Sequence, residues 1–277
     1  MNGILCVNKP QNMTSFDVVA KVRKVFGSKV GHTGTLDPGA TGVLVCAINK
    51  ATKAINYIDV KNKTYVASMK LGQKTHTGDI WGDVLDEVSV PEITQEQVIS
   101  VLETFVGTMS QRVPKVSAKK IDGKRSYDLV RQNQDVEQLY TDINILDIKF
   151  ISMTADEISF EATVSNGTYI RTLCEDIAEK LGTIGTMSAL ERTVVGIYTL
   201  EDCVNLEDLS SETPLYDVKE AIVTPKIDCP ELDMEIGHGK RIKLDTEYDE
   251  VMVDGGVHFA IYEREKDNQF KSVRGLW

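Results

Sequence analysis

Several things are missing from this chain of 277 residues. Its five cysteines, Cys6, Cys46, Cys174, Cys203 and Cys229, are odd in number, scattered and never spaced C-x-x-C, so neither a disulfide framework nor a zinc site is indicated, and they read as buried thiols. No run approaches the ~18 apolar residues of a membrane span, and the start, MNGILCVNKP, has no charged segment leading into an apolar one. The expectation is a cytoplasmic protein with no membrane contact. Internal repeats and low-complexity stretches are absent. So is a strict strand–helix–strand rhythm, which favours an α+β domain over a doubly wound sheet. Positive charge is also short: the formal net charge is −11, which at face value argues against a nucleic-acid partner.

The distribution of that charge reverses the argument. Residues 1–70 hold ten Lys and Arg against three Asp and Glu, and residues 111–133 hold seven against two, so these windows carry +7 and +5 and leave −23 for the rest. Segregation of this kind leaves room for a basic cleft on an acidic body, although a like-sign run is also what a solvated face looks like.

Hydrophobic spacing places the elements. GILCVNKP predicts a strand stopped by Pro10; Thr14 or Ser15 then caps a helix to about Phe26, with Phe16, Val19, Val22 and Val25/Phe26 on one face and Gly27 as the stop. GVLVCAI and KTYVASMKLG read as strands. Thr94 and Gln97 form a capping box for a helix bearing Val98, Val101, Leu102 and Phe105 and ended by Gly107. Alternation from about Asn144 to Val164 predicts paired strands, and Ile170, Leu173, Ile177 and Leu181 keep helical spacing up to Gly182. Beyond Pro230, IGHGKRIKL and VDGGVHFAIYER suggest a small β region.

One stretch carries chemistry: GHTGTLDPGATGVL, Gly31 to Leu44. Gly34 and Gly39 have the spacing of a phosphate cradle, but Ala40 and Thr41 stand where Lys-[Ser/Thr] must follow, so nucleotide binding fails at the residue that would touch phosphate. Two readings stay open. Asp-Pro-Gly is ordinary turn chemistry, and Pro38 biases Asp37 toward an extended conformation. The same features also present a carboxylate rigidly, with glycines on both sides that let backbone and substrate approach closely.

GHTGTLDPGATG resembles the signature of the TruB family of bacterial tRNA pseudouridine-55 synthases. Three further blocks follow in that family's order: KTYVASMKLGQKTHTGDIWG, VPKVSAKKIDGKRSYDLVR and VSNGTYIRTLCEDIAEKLGTIGTMSALERTVVG, so the resemblance covers about residues 3–200. It implies a mixed β-sheet flanked by helices, a catalytic domain over 1–228 with an RNA-gripping thumb insertion at about 112–140, and a small C-terminal β region over 229–277 similar to a PUA module. It implies isomerisation of uridine-55 in the T-loop of tRNA to pseudouridine, with no cofactor, no metal and no obligatory protein partner, by a monomer.

By the same resemblance Asp37 is the nucleophile and Arg171 the cation that keeps it ionised. Tyr65 stacks on the extruded uracil, with Tyr169 and Leu190 packed around it, and His32 fills the place that the uridine leaves. Lys119, Lys120, Lys124, Arg125 and Arg131 make phosphate contacts that add affinity without sequence information. The chain departs from the family pattern at Val45, Val113, Val116 and Asn166, none of which is the nucleophile. Two rivals remain: a synthase guided by a partner RNA, and a catalytically silent RNA-binding protein. The joint presence of Asp37, Tyr65 and Arg171 speaks against the silent one.

Overall fold

The computed structural model describes residues 2–27, 29–114, 120–121, 124–125 and 138–277. Lys119 and Arg131 of the expected insertion lie outside the described residues. The chain divides into two compact units, Met1–Asp37 with Val43–Val60 and Ile197–Trp277, and Pro38–Gly42 with Lys61–Gly196.

The first unit begins with strand β1 (Gly3–Lys9), helix α1 (Ser15–Phe26) and the hairpin of β2 (Val30–His32) with β3 (Thr41–Ile48). Lys9 ends β1 fully buried, its ammonium satisfied by the carbonyls of Pro10 and Met13 at 3.0 and 2.6 Å. Thr14 caps α1 with a full capping box through Asp17, and Gly27 closes it at φ 60°, as the local sequence signals predict. The expected face is buried at Val19 and Val22 but not at Phe16. Val18, Val19 and Val22 pack with Leu5, Val7, Leu44, Cys46 and Ile48, whereas Phe16 is 68% exposed.

The second unit takes in the first two residues of β3 and continues with β4 (Asn62–Leu71), β5 (Gln73–Thr75), β6 (Val84–Glu87), α2 (Gln95–Glu103), β7 (Gly107–Arg112), β8 (Lys120–Ile121), β9 (Lys124–Arg125), β10 (Tyr140–Met153), β11 (Glu157–Ser165), α3 (Ile170–Lys180) and β12 (Gly185–Val195). Its strands run in the order β3-β12-β4-β11-β10-β7. All neighbours are antiparallel except β12 with β3, so the sheet is mixed. Lys120, Lys124 and Arg125 belong to the short antiparallel pair β8–β9.

Alternation makes β4 and β11 two-faced: Tyr65, Ala67, Met69 and Leu71 pack inward with Ile158, Phe160, Ala162 and Val164, and the opposite face pairs hydroxyls, Thr64 with Thr163 at 2.9 Å and Ser68 with Ser159 at 2.8 Å. Helix α3 covers the inward face with Ile170, Leu173, Cys174 and Ile177, each burial of a large aliphatic contributing about 1.5–3 kcal/mol. Gly185 allows this approach, since a Cβ there would stand 2.6 Å from that of Ala178. Helix α2 has the expected Thr94–Gln97 box but stops at Glu103, four residues before Gly107. Backbone bonds from Thr104, Phe105 and Val106 to the carbonyls of Val101, Leu102 and Glu103 tighten the last turn, and Gly107, at φ 116°, opens β7 instead.

The chain returns to the first unit through β13 (Tyr198–Thr199) and β14 (Val204–Asn205), the latter parallel to β1. It ends in a five-stranded sheet of β15 (Lys226–Asp228), β16 (Ile242–Lys243), β17 (Glu250–Asp254), β18 (Phe259–Lys266) and β19 (Gln269–Gly275), ordered β15-β17-β18-β19-β16 around Val251, Val253, Tyr262 and Phe270. This small sheet starts at Lys226, three residues ahead of the boundary expected from the sequence. Mixed sheets, helices and a small C-terminal sheet together make the α+β class. Among the described residues, no helix is long and apolar enough to cross a membrane.

Candidate active site

The glycine-rich stretch is a hairpin loop whose two ends are anchored in the first unit. Gly31 pairs with Ala47 and His32 with Cys46, and the Thr33 N–H donates to the Val45 carbonyl at 3.1 Å. The residue before the aspartate is held from α1: Ser15 Oγ accepts from the Leu36 N–H at 2.8 Å and donates to the Leu36 carbonyl at 3.0 Å. Leu36 itself is 3% exposed. Asp37 therefore leaves a fixed, buried residue and enters Pro38, whose ring sets φ near −65°. Asp37 is half-buried, as is His32.

Two glycines after Pro38 have no room for a side chain in the second unit. A Cβ on Gly42, at φ 103°, would stand 2.2 Å from the Arg192 carbonyl oxygen, because β3 meets β12 there. One on Gly39 would stand 2.4 Å from the Trp81 ring.

Also in the second unit, Arg171 lies in the first turn of α3 and is 8% exposed. Its Nη1 donates to the Thr77 carbonyl at 2.8 Å and stands 3.8 Å from Asp79 Oδ2. The other Asp79 oxygen accepts from Thr77 Oγ1 at 2.7 Å and from the Trp81 N–H at 3.3 Å, so one carboxylate organises the whole turn facing Arg171. The turn is tied to β12 by bonds from Ile80 N to the Met187 carbonyl and from Met187 N to the Gly78 carbonyl, at 2.9 and 3.0 Å. The start of α3 lacks a side-chain cap, since its N-cap is Tyr169. Gln111, buried on β7, substitutes: Oε1 accepts from the Tyr169 N–H at 2.8 Å and Nε2 donates to the Tyr169 carbonyl at 3.1 Å. Tyr169 is thus fixed through its backbone, two residues before the guanidinium.

Tyr65 points inward from β4 and is 8% exposed. In the ladder with β12 it stands opposite Arg192, and Leu190 stands opposite Ala67, which makes Leu190 a diagonal neighbour of Tyr65 on the same face. Lys63, one inward position earlier, is 7% exposed and donates to Asn166 Oδ1 at 2.8 Å. Burial, aided by the Arg192 charge, lowers its pKa to about 8.

That shift predicts a pH dependence. An unfolded lysine holds its proton to about pH 10.4. From pH 8 to that value the unfolded chain binds the extra proton, so stability rises with pH. The penalty for the buried charge is complete below pH 8 and gone above the window. Relative to Lys63→Met, the wild type should gain about 2–3 kcal/mol across this range. Urea melts of both proteins at several pH values measure it, and a constant difference would refute it.

The second unit therefore brings Tyr65, Leu190 and Arg192 onto one sheet face, and Tyr169 and Arg171 onto the start of the helix that packs on that sheet. Asp37 and His32 belong to the first unit. Asp79, Gln111, Lys63 and Arg192 were given no role by the sequence. One signal for Asp79 was present: it stands between Gly78 and Gly82, as Asp37 stands among its own glycines.

Comparison with known proteins agrees with this architecture. One chain of an H/ACA ribonucleoprotein bound to a substrate RNA containing 2′-deoxyuridine superposes with a TM-score of 0.74 at 20% identity, over 99% of this chain and 85% of its own, a likeness of fold. The model of the TruB family pseudouridylate synthase N-terminal domain matches residues 22–170, and that of the tRNA pseudouridylate synthase B C-terminal domain matches 171–226. The fold and these matches define the class: pseudouridylate synthases, RNA-modifying isomerases. Relatives named tRNA pseudouridine synthase B are 46% identical over 214 residues in Clostridium perfringens (76% of this chain, 73% of the relative) and 39% identical over 280 residues in Mesoplasma florum (99% and 98%). The chain belongs to the TruB family.

Proposed function

We propose that this protein isomerises uridine-55 in the T-loop of tRNA to pseudouridine, acting alone in the cytoplasm, with Asp37 as nucleophile and no cofactor. The observation that carries the reading is the pair of hydrogen bonds between Ser15 and Leu36, which anchors the residue that precedes Asp37 on both sides of its peptide. Such a preset position is what nucleophilic catalysis at a nucleoside needs. In the reaction the bond from uracil N1 to the ribose C1′ breaks, the base turns, and C5 bonds to C1′; C5 loses its proton to solvent and N1 gains one.

The other residues take the remaining tasks. Arg171, held by Thr77 and Asp79, supplies the fixed positive charge that serves the Asp37 carboxylate. Tyr65 offers a ring to the everted base beside Leu190, with Tyr169 at the pocket edge. His32 occupies the vacated stack. The insertion at about 112–140, with Lys119, Lys120, Lys124, Arg125 and Arg131, grips the stem through its phosphates. The catalytic domain is taken as 1–228 and the β region after it, 229–277, as an accessory module.

The test uses an unmodified tRNA transcript tritiated at uracil C5. One tritium should be released per tRNA, with EDTA present, and none from a transcript with cytidine in place of the target uridine. No release by the folded wild type, or full release from the cytidine transcript, would eliminate the reading.

A further inference from the structure

Trp81 is the residue the proposed reaction leaves unexplained. It is 46% exposed, and Ile80 beside it is 42% exposed, on a turn whose other members are engaged in hydrogen bonds. Its position is nonetheless set. The Trp81 N–H is held by Asp79, the carboxylate that also faces Arg171, and a Cβ on Gly82 would stand 2.1 Å from Thr77 Oγ1, so the turn admits only glycine there without a shift. The ring leans on Gly39: a Cβ at that position would stand 2.4 to 2.5 Å from Cη2, Cζ2 and Cζ3, the far edge of the six-membered ring. Gly39 follows Asp37 by two residues, so the Cα atoms of the two are at most about 7 Å apart along the chain.

A large flat ring fixed at its backbone and left half in water is costly as a purely structural device, because the same contact with Gly39 could be made by a smaller aliphatic side chain. The arrangement suits a planar, apolar guest. Resting on the function proposed above, the site has such a guest. When a uridine swings out of the folded loop, the adjoining bases lose a stacking neighbour and present an open π-face. Stacking on an aromatic ring accepts any base and needs no charge on the protein side.

We propose that Trp81 is a stacking platform for an unpaired base flanking the target uridine, and so a residue that determines which RNA loops the enzyme accepts. It takes no part in the bond-making steps. Its contribution appears in affinity and KM, with kcat preserved.

The experiment exploits the presence of only two tryptophans, Trp81 and Trp277. Trp277 packs edge-on against His258 in the C-terminal sheet, with ring centroids 5.3 Å apart. In Trp277→Phe, Trp81 is the sole indole reporter, and titration with a T-arm stem-loop RNA should quench its fluorescence. Trp81→Phe keeps a flat ring and should bind that RNA within about threefold of wild type. Trp81→Leu keeps apolar volume without a π-face and should bind about tenfold more weakly. Fluorescence unchanged at saturating RNA, or equal affinity of the Phe and Leu variants, would overturn the proposal. If the Leu variant fails to fold, the quenching decides alone. All these readouts are of binding, so failure of the isomerase reading, seen as no tritium release by wild type, is recognised separately.

Discussion

Asp37→Asn is expected to lower turnover by more than about 10⁴-fold while leaving tRNA affinity within about tenfold of wild type. The substitution keeps size and shape, and two anchors of the loop do not involve the carboxylate: Ser15 holds Leu36 through backbone atoms, and the β2–β3 ladder pairs the loop's ends. What is lost is the anionic oxygen that the proposed attack requires, since an amide oxygen is neutral and a poor nucleophile. Affinity should survive, because RNA is a polyanion whose binding rests on cations elsewhere, and removing a negative charge cannot weaken that attraction. The usual artefact of such a variant, return of the acid by cyclisation of asparagine onto the next peptide nitrogen, is blocked because Pro38 has no N–H. Single-turnover tritium release with enzyme in excess, alongside filter binding of the same tRNA, separates the two effects. Retention of even a hundredth of the wild-type rate would remove Asp37 from the role of nucleophile, and a loss of affinity much beyond tenfold would give it a binding role instead.

Local signals were legible and non-local ones were not. The helix caps at Thr14, one of two candidates the sequence offers, and at Thr94 sit where local signals point, because a cap is a contact between residues three apart. The paired strands β10 and β11, and β4, show in the alternation of their side chains. Strand β12 does not, although it lies between β3 and β4. Register shifts between Met187 and Ala189, and again between Arg192 and Val194, break its period of two, so inward and outward residues do not alternate along it. The core-facing place expected for Phe16 was misjudged for a related reason: apolar spacing alone cannot tell which of two overlapping stripes meets the core. At the site, the sequence pointed to Arg171 but not to what holds it. Thr77 and Asp79 precede it by more than ninety residues, and no periodicity connects them. Gln111 is hidden in the same way: a glutamine on a strand gives no hint that it will cap a helix whose own N-cap is a tyrosine.

The pairing of Asp79 with Arg171 gives the second large effect. Asp79→Asn is expected to lower kcat about 100-fold with little change in KM, and to destabilise the fold by about 1–3 kcal/mol. The guanidinium stays buried when its counter-charge is removed, and the asparagine must offer one of its two positions as an NH₂, a donor facing a donor either at Arg171 or at Thr77 and Trp81. Either choice shifts the turn or the arginine, and displacements of about 1 Å at a reacting centre cost rates of that order. Arg171→Lys should do at least as much damage, since an ammonium keeps the charge but cannot reach the Thr77 carbonyl and the Asp79 carboxylate in one planar fork. If the two side chains act as one device, the double variant should be no more than about threefold worse than the weaker single one. Multiplication of the two losses would instead mean that Asp79 shapes the turn and Arg171 serves the chemistry independently. In that case Arg171 would need no help from the turn that carries Trp81.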